Sequence, residues 1–581
     1  MTVTAPHRQH TWASALGIAA LVSVGVPLLT YSLLSRPRKS QAQDQTQTPD
    51  LEAIPSLPLF VEAQRHAREN PDKIAVIDRT KGESFTYRQL LADVSALKKR
   101  ILEELGLRDV RDLEERRIAF LAPGGYDYVV TQWAVWAAGG VCVPLCTTHP
   151  VKELLYTIGD SDPSLILIHP LFEKTGSALR EQVTNVPFTT LTPFTARDDA
   201  ASIQQPPFHP SCPLSRRALM IYTSGTTSNP KGCVTTHKNI TFQADSLVKA
   251  WQYTPSDHLI HVLPLHHVHG IINGLTATLL AGATVEMHPK FDAATIWSRW
   301  QDIGSSSMFF AVPTIYSKLV DYFDAHIRGT ESENAARAGA RALRLVVSGS
   351  AALPTPIKDK FFEITGQTLL ERYGMTEIGM AISCGLELEK RIDGSVGWPL
   401  PGVQVRLVEK ETGRVIDSPD EDGIIEVKGD NVFREYWRRP EATAKEFSPD
   451  GWFRTGDVAR RRGSDGAYFI QGRASVDLIK SGGYKISALE VERKMLGLEA
   501  VQEVAVVGLV DEEWGQRVAA VVKQRPGTDP LDLQTLRAQL KEEMAPYKIP
   551  TVLKVVDAIE RNAMGKVNKK TIVKTYWPEK A

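Results

Sequence analysis

Residues 222–232 read YTSGTTSNPKG and follow directly on the apolar run ALMIY at 218–222. By composition ALMIY is a buried strand, so the loop hangs from a strand end, as expected of layered α/β architecture. The stretch from Thr223 holds two glycines, five hydroxyl residues and a single lysine. Backbone N–H groups that glycine leaves accessible, together with Ser and Thr hydroxyls, make a cradle for phosphate oxygens. Lys231 adds a compact positive charge suited to a multiply charged tail. The common nucleotide-triphosphatase pattern requires Gly-Lys followed by Ser or Thr, whereas here Lys231 precedes Gly232 and Cys233. Alone, the stretch reads either as a phosphate cradle or as a solvated Ser/Thr/Gly turn.

Outward from this loop, short apolar runs bounded by Gly or Pro (RIAFLAP, GGVCVPL, PSLILI) alternate with helical patterns such as TYRQLLADVSALKKRILEEL. That alternation predicts α/β layers with much parallel sheet. Residues 196–217 read as a loop-like break, and 326–343 as a surface excursion leading into the strand LRLVVSGS. After Gly472-Arg473 the pattern changes to a small α+β domain, with a helix from Ala488 and strands at EVAVVGLV and RVAAVVKQ. The expected organisation is therefore an N-terminal segment 1–45, a large α/β domain 46–472 and a small α+β domain 473–581.

Bulk composition excludes some partners. Lys plus Arg equal Asp plus Glu at 68 each in 581 residues, so no net field recruits nucleic acid. The five scattered cysteines match no zinc spacing and read as buried thiols. The N-terminus carries no Asp, Glu, Lys or Arg between Arg8 and Arg36, around ALGIAALVSVGVPLL. That run reads first as a single membrane anchor spanning 9–35, which needs ~20 apolar residues. Its second reading is a mitochondrial presequence and its third a secretory signal. Arg36, Arg38 and Lys39 outnumber Arg8, so an inserted helix would leave the rest of the chain on the cytosol-like side, where ATP is found. The polar QAQDQTQTPD stretch that follows suits a tether or a cleavage region.

Five more stretches stand downstream: SGSAALP (348–354), ERYGMTE (371–377), FRTGD (453–457), GRASVDLIKSGGYKIS (472–487) and RNAMGKVNKK (561–570). In this order the six motifs resemble the adenylate-forming superfamily, which includes the acyl-CoA synthetases, over essentially everything from Leu51 onward. Within it the chain is most similar to malonyl-CoA synthetases of the mitochondrial type. LPLHHVHG (263–270), AVPTIYSKL (311–319), FREYW (433–437) and SGGYKISALEVE (481–492) carry that likeness.

The resemblance implies a ligase in which a carboxylate attacks the α-phosphate of ATP and coenzyme A then displaces AMP. The attacking carboxylate is already ionised at neutral pH, so this step needs charge stabilisation and in-line placement rather than a base. By resemblance, Thr223, Ser224, Gly225, Thr226, Thr227 and Lys231 hold the β- and γ-phosphates. Glu377 ligates Mg2+, a hard oxygen for a hard cation, and Thr376 meets the α-phosphate. Ser350, Ala351, Ala352, Glu371, Arg372, Tyr373 and Gly374 line the adenine side. Asp457 takes the ribose hydroxyls beside Arg473, and Lys566 bridges carboxylate and phosphate. The family rotates its C-terminal domain about a hinge after Gly-Arg, here Ala474–Val476, so that Lys480, Ser481, Gly482, Gly483 and Tyr484 line the pantetheine path. Many relatives carry Asp or Lys at that hinge; this chain has Ala-Ser-Val.

For the acid, a short diacid needs a cation for its distal carboxylate. Lys318 is the expected partner, standing where bacterial relatives carry Arg. His267 and His269 are gating candidates that read equally as packing residues, and Ser348 and Gly349 complete the pocket; Arg344, heading a strand, reads as structural. Two other functions stay open: a ligase for fatty or aromatic acids, and a non-catalytic scaffold on a ligase fold. HHVHG and Lys318 speak against an apolar acyl tunnel. Intact Lys231, Glu377, Asp457 and Lys566 speak against a scaffold. The chain ends about fifteen residues after Lys566, so no carrier domain is expected.

Overall fold

The computed structural model describes residues 50–581 apart from 109, 200–201, 211, 224–229, 562–566 and 581. The predicted run of strands and helices is present. A seven-stranded sheet orders Glu435–Tyr436, Lys231–Thr236, Arg217–Thr223, Val141–Pro144, Arg117–Leu121, Leu165–Ile168 and Phe188–Thr190. From Arg217–Thr223 onward its strands pair in parallel. A nine-stranded sheet has six consecutive parallel strands, running Leu370–Met375, Leu345–Ser348, Met308–Ala311, His258–His261, Thr284–Met287 and Ile74–Asp78. Parallel strands covered on both faces must be apolar throughout, which is why LILI and MFFA carry no alternating pattern.

One apolar cluster joins the two sheets through the helices between them. Ile118 and Phe120 come from one sheet, Val76 and Val285 from the other, and Trp133 and Leu90 from the intervening helices. The helix Tyr126–Ala137 is buried at every position, as expected of a helix that is apolar all round. Its charged exception, Asp127, is held between Lys81 and His169.

The excursion expected at 326–343 is different in part. Glu333–Arg341 is a helix, and Gly339 lies so close to the Trp300 carbonyl that a Cβ there would sit 1.6 Å from its oxygen. The small residues of ENAARAGAR thus serve close helix packing rather than loop flexibility. The break before Arg217 contains one short strand, Phe208–His209, paired with Ile54–Pro55. Arg344 pairs with Asp257 and donates to the carbonyls of Trp251 and Gln252.

An antiparallel four-stranded sheet, Gln404–Val408, Asp422–Lys428, Phe453–Arg461 and Tyr468–Arg473, leads into the small C-terminal domain. That domain holds the hairpin Leu478–Ser481/Tyr484–Ser487, the helix Ala488–Leu496 and a three-stranded sheet of Val501–Asp511, Gly515–Gln524 and Val552–Val556. Its own apolar cluster centres on Ile486, Val491, Val506 and Val522. Among the described residues no helix is long and apolar enough to cross a membrane; the apolar run 9–35 lies outside them. Cys142, Cys146, Cys233 and Cys384 are buried free thiols, and Cys212 is half-buried.

Candidate active site

The opening loop joins two antiparallel strands, not a strand and a helix. Thr223 pairs with Lys231 across the hairpin Arg217–Thr223/Lys231–Thr236. Ser224, Gly225, Thr226 and Thr227 lie outside the described residues, and so does Lys566. Lys231 Nζ lies 3.8 Å from the Tyr436 ring centroid and 3.8 Å from Glu446 Oε1.

Three of the motifs meet around Asp457. The Tyr373 hydroxyl donates to Asp457 Oδ2 at 2.7 Å, and Arg473 Nε donates to Oδ1 at 3.0 Å. Strand register causes this, since Asp457 and Arg473 are directly opposed. Glu377 is buried, and Tyr436 donates to its Oε1 at 2.7 Å. Burial pushes the Glu377 carboxyl up, while the Tyr436 hydroxyl pulls it down. Thr376 beside it is half-buried. A hard carboxylate oxygen near Lys231 suits a divalent cation carried on phosphates.

A second cluster gathers at Arg372. The residue is 4% exposed; its guanidinium makes no ion pair with a carboxylate among the described residues and donates from Nη2 to Ser350 Oγ at 3.0 Å. Burial pushes its pKa down to about 9. Gly349 permits this approach, because a Cβ there would meet the guanidinium at 2.4 Å. Ser350 is held at φ +67°, a left-handed conformation that costs an L-residue about 1 kcal/mol or more. Its hydroxyl also lies 3.4 Å from His269 Nδ1. Burial keeps His269 neutral, well below the ordinary histidine range. Three buried polar atoms here lack protein partners among the described residues: Arg372 Nε, Ser348 Oγ and His269 Nε2. A water or a polar ligand can complete the bonding of such atoms. Ala351 and Ala352 are exposed on the same turn.

The remaining candidates differ in exposure and partners. Lys318 is exposed on the helix Pro313–His326. Glu371, two positions from Tyr373, is buried 3.8 Å from Lys358 and pushed up to about 7 by burial. Gly374 lies against the Gly379 carbonyl. His267 is half-buried, its ring 4.1 Å from that of His266. Lys480, Gly482, Gly483 and Tyr484 are exposed at the hairpin tip, with Ser481 half-buried. Tyr484 stacks on Tyr547 at 4.1 Å, and Gly482 N–H donates to the Trp514 carbonyl.

Sequence reasoning misses two features. The continuous motif groups Arg372 with the nucleotide residues, and nothing local reveals that its guanidinium lacks a carboxylate. Beside the expected hinge Ala474–Val476, polar contacts come from the next residue, Asp477. It accepts the Arg473 N–H at 2.9 Å and pairs with Lys569 at 2.6 Å. The acidic residue inside GRASVDLIK is the available signal.

Comparison with known proteins identifies the family. A model of the AMP-binding enzyme family matches residues 63–437, and one of the AMP-binding enzyme C-terminal domain matches 490–566. Over 551 residues the chain is 42% identical to mitochondrial malonate–CoA ligase ACSF3 of Mus musculus, covering 91% of this chain and 92% of that one. The fold superposes on ATP-bound MatB from Rhodopseudomonas palustris with a TM-score of 0.77 at 32% identity, over 89% of this chain and 100% of that one. Against a malonyl-CoA ligase holding methylmalonyl-CoA and AMP, the TM-score is 0.59 at 34% identity, over 84% and 97%. The chain belongs to the AMP-binding, adenylate-forming family of acyl-CoA synthetases.

Proposed function

We propose that the protein makes malonyl-CoA from malonate, ATP and coenzyme A through a malonyl-adenylate. The observation that carries the reading is Arg372: a buried cation without a carboxylate partner among the described residues, beside the orphaned Ser348 and His269 atoms. An apolar acid would leave that charge unpaired, whereas the distal carboxylate of a diacid pairs with it. Arg372 therefore takes the role that Lys318 was expected to fill. The 42% identity to a malonate–CoA ligase supports the same substrate.

In the first half-reaction one malonate carboxylate attacks the α-phosphorus, forming a P–O bond as pyrophosphate leaves. Asp457, oriented by Tyr373 and Arg473, accepts the ribose hydroxyls and sets the nucleotide in line. Lys231 and the hydroxyls of 223–227 offset charge on the departing pyrophosphate, and Lys566 offsets charge between the reacting groups. Glu377 would hold Mg2+, which neutralises phosphate charge when bound, and Thr376 meets the α-phosphate. In the second half-reaction the coenzyme A thiolate attacks the acyl carbon and AMP leaves. The exposed hairpin Lys480–Tyr484 serves this step after the domain 473–581 turns about 474–476. The higher TM-score with the ATP-bound relative than with the product complex supports a first-step arrangement here. We assign the protein to mitochondria, as its relative's name suggests, with residues 1–45 as the targeting segment.

The test is AMP release by the purified full chain over a panel of malonate, succinate, butyrate, octanoate and ferulate. Malonate is expected to have the highest kcat/KM. A higher value for any monocarboxylate overturns the reading.

A further inference from the structure

FREYW (433–437) marks the family resemblance, yet no step above uses it. Its short strand Glu435–Tyr436 is the outermost of the seven-stranded sheet, with Tyr436 opposite Cys233. The Gly232 carbonyl accepts the Trp437 N–H at 2.8 Å, and the Glu377 carbonyl accepts the Phe433 N–H at 2.7 Å. One short segment is thus bonded on one side to the strand leaving the phosphate loop, and on the other to the candidate metal ligand.

Tyr436 uses both ends of its side chain. Its hydroxyl donates to Glu377 Oε1 at 2.7 Å, and Lys231 Nζ lies 3.8 Å from its ring centroid. Both Tyr436 and Glu377 are buried, so the hydrogen bond is shielded from water and short enough to be charge-assisted. The ring face attracts the ammonium without neutralising it. Glu446, at 3.8 Å, is the carboxylate paired with Lys231, and an anionic phosphate tail competes with it directly. Phenylalanine would supply only the ring, and serine only the hydroxyl.

We propose that Tyr436 is a positioning residue for nucleotide and cation together. Its hydroxyl fixes the Glu377 carboxylate for the divalent ion, and its ring holds Lys231 at the mouth of the phosphate loop. This rests on the assignment of Glu377 to the metal and Lys231 to phosphate, and is independent of which acid is used.

The experiment measures binding of ATP with Mn2+ to the full chain, without acid or coenzyme A, following free Mn2+ by electron paramagnetic resonance. Tyr436→Phe removes one oxygen and leaves the ring. It should weaken Mn2+–ATP binding roughly tenfold, as for one lost hydrogen bond to a charged acceptor. In the Glu377→Gln background the same change should add little, because the bond it removes is already altered. Metal-free ATP affinity, measured in chelator, should be unchanged by Tyr436→Phe and weakened severalfold by Tyr436→Leu, which also removes the ring. Wild-type Mn2+–ATP binding by Tyr436→Phe, or effects that multiply in the double variant, overturns the hydroxyl's role. Equal metal-free affinities for Phe and Leu variants overturn the ring's role. If Glu377→Gln alone binds Mn2+–ATP like wild type, the metal assignment itself fails, and the inference with it.

Discussion

Replacing Arg372 by methionine should make the protein more stable and a worse malonate ligase at once. The guanidinium is buried without a carboxylate among the described residues, and burial pushes its pKa from the ordinary 12.5 down to about 9. A shift of that size corresponds to on the order of 4–5 kcal/mol of unfavourable desolvation. The folded chain carries this cost until an anion arrives. Methionine fills much of the same volume without the charge, so the unliganded variant should unfold at a temperature equal to or above that of wild type. Bound malonate would recover a large part of the penalty through its distal carboxylate. Losing about 3–4 kcal/mol of that pairing lowers kcat/KM by roughly two to three orders of magnitude. Butyrate has no distal carboxylate and should be unaffected or improved. The assay is AMP release for both acids, alongside thermal unfolding of the unliganded protein. An unchanged malonate-to-butyrate ratio refutes the role assigned to Arg372. A variant that is less stable and equally impaired on both acids shows instead that the guanidinium is a structural group.

Lys566→Ala should abolish malonate-dependent pyrophosphate exchange while sparing thioester formation from supplied malonyl-adenylate; equal loss in both half-reactions contradicts its assignment to the first step. Gly483→Val should do the reverse, because Gly483 sits at φ +83° at an exposed hairpin tip, where an added Cβ would have no atom within 4 Å. Loss of pyrophosphate exchange in that variant would mean that the tip serves the fold. Glu286→Gln should destabilise the large domain. Burial alone would raise the Glu286 pKa, but hydrogen bonds from His258, His288, Arg299 and Arg79 hold it far below the usual carboxylate range. Its folded pKa lies under its unfolded value, so this stabilisation is complete above about pH 4.5 and is lost as pH falls further. Wild-type and variant unfolding curves should therefore differ most near neutrality and converge in acid; a gap independent of pH refutes the reasoning.

The fold can be read from the sequence because its signals are local. Apolar runs such as LILI and MFFA are bounded by turn residues, and a strand buried on both faces requires that composition wherever it packs. The change of pattern after Arg473 marks the second domain for the same reason. The stretch 326–343 reads as a surface excursion and is mostly solvent-facing, but it holds the helix Glu333–Arg341, whose packing is not local evidence. ENAARAGAR is built mostly of good helix formers, but the close approach that its Gly339 allows depends on the Trp300 carbonyl pressed against the helix, and Trp300 lies in another element.

The site divides along the same line. Asp457, Tyr373 and Arg473 can be named from their motifs, and the structure brings Tyr373 and Arg473 each within hydrogen-bonding distance of Asp457. Substrate choice cannot be named that way, because it depends on which charges lack a partner. Lys318 and Arg372 are both cations in family motifs, yet one is exposed on a helix and the other is 4% exposed beside an orphaned serine and histidine. An exposed lysine is solvated and gains little from a ligand carboxylate, with a surface ion pair contributing ~0–1 kcal/mol. A buried, unpaired guanidinium has its desolvation already in place before the ligand arrives, so each new hydrogen bond adds to affinity with little further loss of hydration. On the proposed reading, recognition of a second carboxylate falls to the cation that the fold has stripped of water, and the packing of residues 348–350 against strand Leu370–Met375 is what buries Arg372 rather than Lys318.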